Sequence, residues 1–165
     1  MISIPRNVRS FLWEVAEERC RMKKMFGIAS GKVAHWLSQV QADFESLESE
    51  WAVAAVLGGK PDYRHYPGPD DGHDLMVNGT SIQVKLNHYE DGDLYVNYDE
   101  NMNSDIAVLV TPAGDHLFAL KGWTTGTDFE SLHEVRDYGY GKRKALPQTK
   151  LHPMRRLICI SEQPS

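Results

Sequence analysis

The stretch that decides the fold runs Asp74-Leu-Met-Val-Asn78-Gly79-Thr-Ser-Ile-Gln83-Val-Lys85-Leu86. An Asn-Gly pair between two runs of alternating apolar and polar residues is the strongest short signal for a β-hairpin with a two-residue turn. Such a turn sets the pairing, so that Val77 faces Thr80 and, further from the turn, Asp74 faces Gln83. The sequence therefore predicts two antiparallel strands joined at Asn78-Gly79.

The same pairing assigns each residue of the hairpin to a face of the sheet. Residues opposite each other project from one face, and so do alternate residues of one strand. We therefore expect Asp74, Gln83 and Lys85 to share one face. The other face is apolar and is expected to pack against a helix; it carries Leu75, Val77, Ile82, Val84 and Leu86.

Upstream of the hairpin the apolar residues follow a helical period. We predict a helix from Val8 to about Phe26, a second helical stretch from about Lys32, and a strong helix from Phe44 to Leu57. Gly58-Gly59 and Pro61 end this last helix. Residues 60–72 are rich in Pro, Gly and Asp and are expected to form a loop, with a short strand at 63–66 as an option.

Downstream of the hairpin the pattern favours further strands at 94–98, 106–110 and 117–120, with a polar turn at 112–115. Residues 127–135 are predicted to form a short helix. Residues 137–144 contain two glycines and three successive cations and are expected to form a mobile loop. Residues 151–160 are expected to form a short helical or extended segment. The chain is thus predicted to be α/β, with a mixed central sheet flanked by helices.

The composition indicates one soluble domain over residues 1–165. The 165 residues, 41% of them hydrophobic, can bury one sizeable core and leave little room for a second. Cys20 and Cys159 show no zinc-type spacing, and we find neither a signal-peptide pattern nor an apolar run that could cross a bilayer. A reducing cytoplasmic location, without a membrane partner, is therefore expected.

Charge is distributed unevenly around a net value of -5. Residues 51–135 carry four basic and fourteen acidic side chains, whereas residues 136–165 carry seven basic and two acidic ones. A basic segment beside an acidic one suits an enzyme that binds phosphates with one part and divalent cations with another. An ordinary solvated surface explains the charge pattern equally well.

The polar trio on the hairpin suits phosphodiester hydrolysis. The Asp74 carboxylate, with the Gln83 side chain or a neighbouring main-chain carbonyl, can offer hard oxygen ligands to Mg²⁺. The Lys85 ammonium beside such an ion can orient or deprotonate the attacking water, or stabilise the charge that grows on the phosphate.

In these motifs the chain resembles the PD-(D/E)xK nuclease superfamily, whose pattern is an Asp followed, across a hairpin, by an acidic residue, any residue and Lys. Here the pattern is Asp74 and Gln83-Val84-Lys85, in the QxK form that is familiar from the Mrr-like branch. The family's helix pattern GExAxAxxLG is similar to residues 49–58, in which Ser49 replaces the first Gly. Residues 104–110 and 121–125 resemble later segments of small phage-type members, so the resemblance covers about residues 47–157.

The resemblance implies a restriction-endonuclease-like fold and metal-dependent hydrolysis of DNA. It implies N-terminal helices over 1–46 and a nuclease core over 47–160, and for a phage-encoded member the host cytoplasm. The implied cofactor is Mg²⁺ or Mn²⁺, held by Asp74, Gln83 and Glu50. The implied catalytic residues are Asp74, Gln83, Lys85 and Glu50.

Contacts to DNA are expected from cations, because phosphate binding requires positive charge without demanding exact geometry. The candidates are Lys142, Arg143, Lys144, Arg155 and Arg156. Stacking on unpaired bases by Trp123, Tyr138 or Tyr140 is a weaker expectation, because aromatic residues near strand ends more often belong to the core or its rim.

Several alternatives stay open at this level. Glu50 could be a solvent-facing helix residue, with Glu48 as its nearest competitor, and Asp70 and Asp71 are backup ligands. Because Gln83 replaces an acidic residue, the chain could be a catalytically inactive relative that binds DNA or a protein. It could also be an RNA nuclease, or a Holliday-junction-resolvase-like enzyme that acts as a homodimer.

Overall fold

The structure is a computed structural model that describes residues 1–27, 37–63, 73–139 and 141–161. It is an α/β protein with a mixed sheet flanked by helices, as predicted. The helices are α1 (Arg6–Met25), α2 (Gln39–Leu57), α3 (Gly126–Leu132) and α4 (Met154–Ser161). The strands are β1 (Ile2–Ser3), β2 (Lys60–Pro61), β3 (Leu75–Val77), β4 (Thr80–Leu86), β5 (Leu94–Asn97), β6 (Ile106–Gly114), β7 (Leu117–Thr125), β8 (Glu134–Asp137) and β9 (Lys142–Leu146).

The two long helices lie where the helical period of the apolar residues predicts them. The hydroxyl of Ser38 accepts a hydrogen bond from the N–H of Gln41 and caps the start of α2. Gly58, at φ 77°, ends α2 in the left-handed conformation that a glycine adopts without strain. Residues 28–36, which contain most of the second predicted helical stretch, lie outside the described residues.

The predicted hairpin and its register are confirmed. Leu75 pairs with Ile82, Met76 with Ser81, and Val77 with Thr80. Within the described residues the main sheet has the order β1-β7-β6-β4-β3-β2, and in it only β4 and β6 run parallel. Strand β4 therefore lies inside the sheet, between β3 and β6.

The apolar face of the hairpin is buried as predicted. It packs with helices α1, α2 and α4 in one core, to which Leu75, Val77, Ile82 and Val84 belong. Because this face of the sheet is covered by helices, residues of β4 at odd positions project to the opposite face.

The opposite face is covered by a second sheet that the sequence did not reveal. Its order is β5-β9-β8, and its apolar residues form a separate core with Leu109 of β6 and Phe129 of α3. Strand β5 therefore pairs with β9 rather than joining the main sheet.

Two predictions downstream of the main sheet are wrong. Residues 142–146 form the central strand of the second sheet, not a mobile loop, because Ala145 and Leu146 are fully buried there and β9 pairs on both sides. The predicted helix at 127–135 ends at Leu132, and Val135 belongs to β8, because pairing with β9 outweighs the local helical pattern.

Smaller differences concern strand ends. The predicted turn at 112–115 is shifted, since β6 continues to Gly114 and the turn to β7 lies at Asp115-His116. Residues 64–72, with most of the optional short strand and with Asp70 and Asp71, lie outside the described residues, as does Tyr140. None of the described helices combines the length and the apolar character that crossing a membrane requires.

Candidate functional site

Asp74 lies immediately before β3, where it forms hydrogen bonds with the main chain of β4. Its N–H donates to the carbonyl of Ile82 at 2.9 Å, and its carboxylate Oδ2 accepts from the N–H of Val84 at 2.6 Å. Strand β3 pairs with β4 only over Thr80–Ile82, so at Val84 β4 has no partner in β3. The carboxylate takes the place that a strand carbonyl would otherwise fill.

The orientation of Val84 decides which main-chain oxygen lies near Asp74. In a β-strand the N–H and C=O of one residue point to the same edge, and the two groups of one peptide bond point in opposite directions. The carbonyl of Val84 therefore opens on the same edge as Asp74, whereas that of Gln83 points towards β6. A cation beside Asp74 would meet the Val84 carbonyl rather than the Gln83 carbonyl.

Gln83 and Lys85 project from the face that carries the second core. They lie beside Ala107 and Leu109 of β6, and both are half-buried. No described residue forms an ion pair or hydrogen bond with the ammonium of Lys85 or with the side-chain amide of Gln83. A lysine can bury its alkyl stem while its ammonium stays in contact with water. With no carboxylate partner among the described residues, the Lys85 ammonium can bind an anionic ligand.

Lys85 lines a pocket between the two sheets with a volume of about 140 Å³. The pocket is bordered by β4, β5 and the residues that follow β5. Its lining includes Asn87, Asp93, Tyr95, Asn97 and Glu100. The candidate lysine thus lines a partly open pocket rather than a flat surface.

Glu50 belongs to α2 and approaches the sheet from the helical side. It is only 4% exposed, so the alternative of a solvent-facing residue is wrong. Its Oε1 accepts a hydrogen bond from the hydroxyl of Ser46 at 3.3 Å. Burial and then the negative charge of Glu50 raise the pKa of Tyr63 to about 12. Glu50 therefore lies close to Tyr63, at the end of the segment that leads from β2.

Two other acidic residues of α2, Glu48 and Glu45, form contacts with histidines. Glu48 is 2% exposed, and its Oε1 lies 2.7 Å from Nδ1 of His116. Burial raises the pKa of Glu48, and the contact with His116 opposes that shift. Glu45 lies 2.7 Å from Nε2 of His88, and this bond lowers the pKa of Glu45. Both acids are engaged with histidines at other strand ends, which favours Glu50 as the helix acid nearest Tyr63.

The candidate residues therefore do not all share one face. Asp74 is drawn to the β4 main chain, Gln83 and Lys85 lie on the face of the second core, and Glu50 lies on the helical side. Asp74 and the Val84 carbonyl lie at one edge of β4. The described residues contain no group of three or more His, Cys, Asp or Glu side chains that could hold a metal ion.

The donors at this edge suit a cation that keeps part of its water shell. Mg²⁺ is commonly bound through one or two carboxylates together with substrate phosphates and water. Asp74, the carbonyl of Val84 and the amide oxygen of Gln83 provide hard oxygen donors of that kind. The residues fit such an ion, and they do not fit a zinc site, which takes nitrogen and sulfur ligands in a closed tetrahedron.

The predicted DNA-contact cations differ in their surroundings. Lys144 is 13% exposed and bonds to Glu130 at 3.2 Å and to Asn101 at 2.8 Å. Lys142 is exposed and lies 5.9 Å from the ring centre of Tyr98. Arg155 and Arg156 are exposed on α4, and Arg143 is half-buried. The structure therefore leaves Lys142, Arg155 and Arg156 as the more accessible cations.

The two described aromatic candidates for base stacking, Trp123 and Tyr138, form contacts within the protein. Trp123 is 8% exposed and belongs to the core, which confirms the alternative interpretation for this residue. The hydroxyl of Tyr138 donates to Asp93 at 2.6 Å.

The walls of the pocket beside Lys85 were missed by sequence reasoning. The run from Asp91 to Asp105 is rich in Asp, Asn and Glu, and this composition was the visible signal. It did not show that β5 would lie over Lys85, because that placement depends on pairing with β9, about fifty residues later.

Comparison of the chain with protein-family models, with curated proteins and with solved structures finds no match.

Proposed function

We propose that this chain is a metal-dependent deoxyribonuclease that hydrolyses phosphodiester bonds, with a core of the restriction-endonuclease-like type. The resemblance of Asp74 and Gln83-Val84-Lys85 to the PD-(D/E)xK pattern first suggested this function. The observation that carries it is the Asp74 carboxylate, which accepts from the N–H of Val84 on β4, beside the half-buried Lys85, whose ammonium has no carboxylate partner among the described residues.

Asp74, the Val84 carbonyl and the Gln83 side chain would hold one Mg²⁺ or Mn²⁺ ion, with Glu50 as a further carboxylate from the helical side. When bound, the ion supplies Lewis-acid polarisation of the phosphate and a more acidic water. The Val84 N–H keeps Asp74 oriented, and a fixed carboxylate places a ligand more accurately than a mobile one.

Lys85 has the chemistry to stabilise the phosphate while water attacks it. Its ammonium can donate a hydrogen bond to a non-bridging phosphate oxygen and stabilise the charge that grows as water adds to phosphorus. The bond that forms joins the water oxygen to phosphorus, and the bond that breaks joins phosphorus to the leaving deoxyribose oxygen. The attacking water gives up one proton, and the leaving oxygen takes one up. Lys142, Arg155 and Arg156 would bind the phosphates of flanking nucleotides.

The test is DNA cleavage by purified protein in the presence of Mn²⁺. We expect EDTA to abolish cleavage and Lys85→Ala to slow it by about 10²-fold or more, since loss of one donor that stabilises transition-state charge costs about that much. Lys60→Ala is the matched control, because Lys60 is an exposed lysine of β2. Circular dichroism shows whether the variants fold.

The competing proposal is an inactive module that binds DNA, and the presence of Gln83 in place of an acid favours it. Calorimetric titration with Mn²⁺ separates the two. If the folded wild-type protein binds no Mn²⁺ and cleaves neither linear, branched nor single-stranded DNA, the nuclease proposal is wrong.

A further inference from the structure

The pocket beside Lys85 has the size of a single six-membered ring. Its volume is about 140 Å³, and a protein cavity of roughly 150 Å³ accepts one benzene molecule. A two-ring purine needs more space. Leu109 and Val96, both deeply buried, form an apolar part of the wall, and Tyr95 provides an aromatic ring at 37% exposure.

The polar part of the wall offers hydrogen-bond acceptors. The amide nitrogen of Asn97 donates to Glu100, which leaves the Asn97 oxygen and the second Glu100 oxygen as acceptors. The amide of Asn87 is used by the protein itself, since it donates to the carbonyl of Asp93 and accepts from the N–H of Tyr89. A ligand in this pocket therefore needs to donate hydrogen bonds.

The pocket has an anionic end at Glu100 and a cationic end at Lys85. The Asp93 carboxylate is compensated by Arg136 at 2.5 Å and by the hydroxyl of Tyr138 at 2.6 Å. Glu100 would repel a phosphate, whereas Lys85, which has no carboxylate partner among the described residues, would attract one. The pocket thus suits a neutral ring that is joined to an anionic group on the Lys85 side.

A cytosine nucleotide combines these properties. Cytosine is one six-membered ring, its exocyclic N4 amino group donates hydrogen bonds, and carboxylates are suitable acceptors for that group. Thymine has the same size but presents a carbonyl oxygen at the equivalent position. We infer that the pocket holds a cytosine base of the substrate strand, next to the phosphate that Lys85 contacts.

A base can enter such a pocket only when it is unstacked and unpaired. The substrate is therefore single-stranded DNA, or duplex DNA that is locally opened. This inference rests on the proposed nuclease function for the role of Lys85, and it extends that function to a substrate class and a base preference.

The experiment measures binding of fluorescent oligonucleotides by anisotropy in EDTA, so that cleavage plays no part. The probes are short oligodeoxycytidylate, oligodeoxythymidylate and a duplex of mixed sequence. We expect oligodeoxycytidylate to bind about tenfold more tightly than oligodeoxythymidylate, and more tightly than the duplex.

Glu100→Gln replaces an acceptor by a group that can also donate, and we expect it to remove the preference for cytosine or reverse it. Asp99→Asn is the matched control, because Asp99 is exposed, adjacent in sequence and absent from the pocket wall. It should leave the preference unchanged.

The outcomes distinguish the inference of a cytosine pocket from the proposal of nuclease activity. Equal affinity for the two homopolymers, or a preference that Glu100→Gln leaves unchanged, overturns the cytosine pocket even if cleavage with Mn²⁺ is observed. If the duplex binds more tightly than oligodeoxycytidylate, the inference that the base binds unstacked is wrong. A cytosine preference without any cleavage supports the pocket and contradicts the nuclease. No binding of any probe contradicts both.

Discussion

Asp74 shows how one side chain can have a structural and a chemical task. Its carboxylate satisfies a main-chain N–H that β3 no longer reaches, and the same carboxylate is the main candidate ligand for a divalent cation. A buried N–H without an acceptor costs free energy, so the residue contributes to stability whether or not a cation binds. Substitutions at this position can separate the two tasks.

We predict that Asp74→Ala lowers the free energy of unfolding by about 1.5–3 kcal/mol, because it removes a hydrogen bond to a charged acceptor. Asp74→Asn keeps an acceptor for Val84 and should cost less than Asp74→Ala, while both variants lose Mn²⁺-dependent cleavage. Urea unfolding and a cleavage assay measure the two effects. Equal stability of the two variants would contradict the structural task.

The second prediction at the residue scale concerns Tyr63, whose pKa is raised to about 12 by burial and by the charge of Glu50. The folded state holds the phenol proton more tightly than the unfolded chain, whose tyrosine pKa is about 10. The resulting stability is present below pH 10 and is lost as the pH rises through about 12.

Phenolate absorbance, compared between wild type and Tyr63→Phe, should show one tyrosine that ionises near pH 12. In Glu50→Gln the pKa of Tyr63 should fall but stay above 10, because burial is the larger cause. An unchanged titration in Glu50→Gln would place Glu50 away from Tyr63 and from the candidate site.

At the scale of elements, β9 shows how a strand can accommodate successive cations. Lys142 and Lys144 share one face of the strand. Lys144 is mostly buried, and its ammonium bonds to Glu130 and Asn101. Lys142 is the first residue of β9 and is exposed. The two lysines therefore differ in function although they are two residues apart.

We predict that Lys144→Ala lowers the free energy of unfolding by about 1–3 kcal/mol, since it leaves Glu130 without its cation. Lys142→Ala should change stability by about 0.5 kcal/mol or less, as is usual for an exposed side chain. Urea unfolding of both variants tests this difference, and equal effects would contradict the placement of β9.

At the scale of the whole molecule, the two sheets and the helices enclose β4 from both sides. The helical layer carries Glu50, and the second sheet carries the pocket that faces Lys85. Exposed cations on β9 and α4 lie outside these layers. Binding of a polyanion by them is a long-range electrostatic effect, which salt weakens.

We predict that the double substitution Arg155→Ala and Arg156→Ala weakens binding of single-stranded DNA without a change of base preference. Each lost phosphate contact should reduce the slope of log K against log salt by about 0.7, so the double variant should lose about 1.4. Anisotropy at several salt concentrations measures the slope, and an unchanged slope would exclude α4 from the DNA interface.

The local elements could be predicted because their signals are local. Asn78-Gly79 determines the hairpin register through the geometry of its turn, and Gly58 ends α2 because it adopts a left-handed conformation. The assignment of apolar residues to the helical face of the hairpin followed from alternation alone, and burial of Leu75, Ile82 and Val84 confirms it.

The sequence by itself thus determined the hairpin and the two long helices, and it predicted the polar trio of Asp74, Gln83 and Lys85. Tertiary structure alone decided what surrounds the trio: Glu50 on one side of the sheet, and the β5-β9-β8 sheet with its pocket on the other. The physical reason is that turns and helix ends depend on neighbouring residues, whereas pairing of β5 with β9 joins distant segments and gains free energy only when both cores are buried.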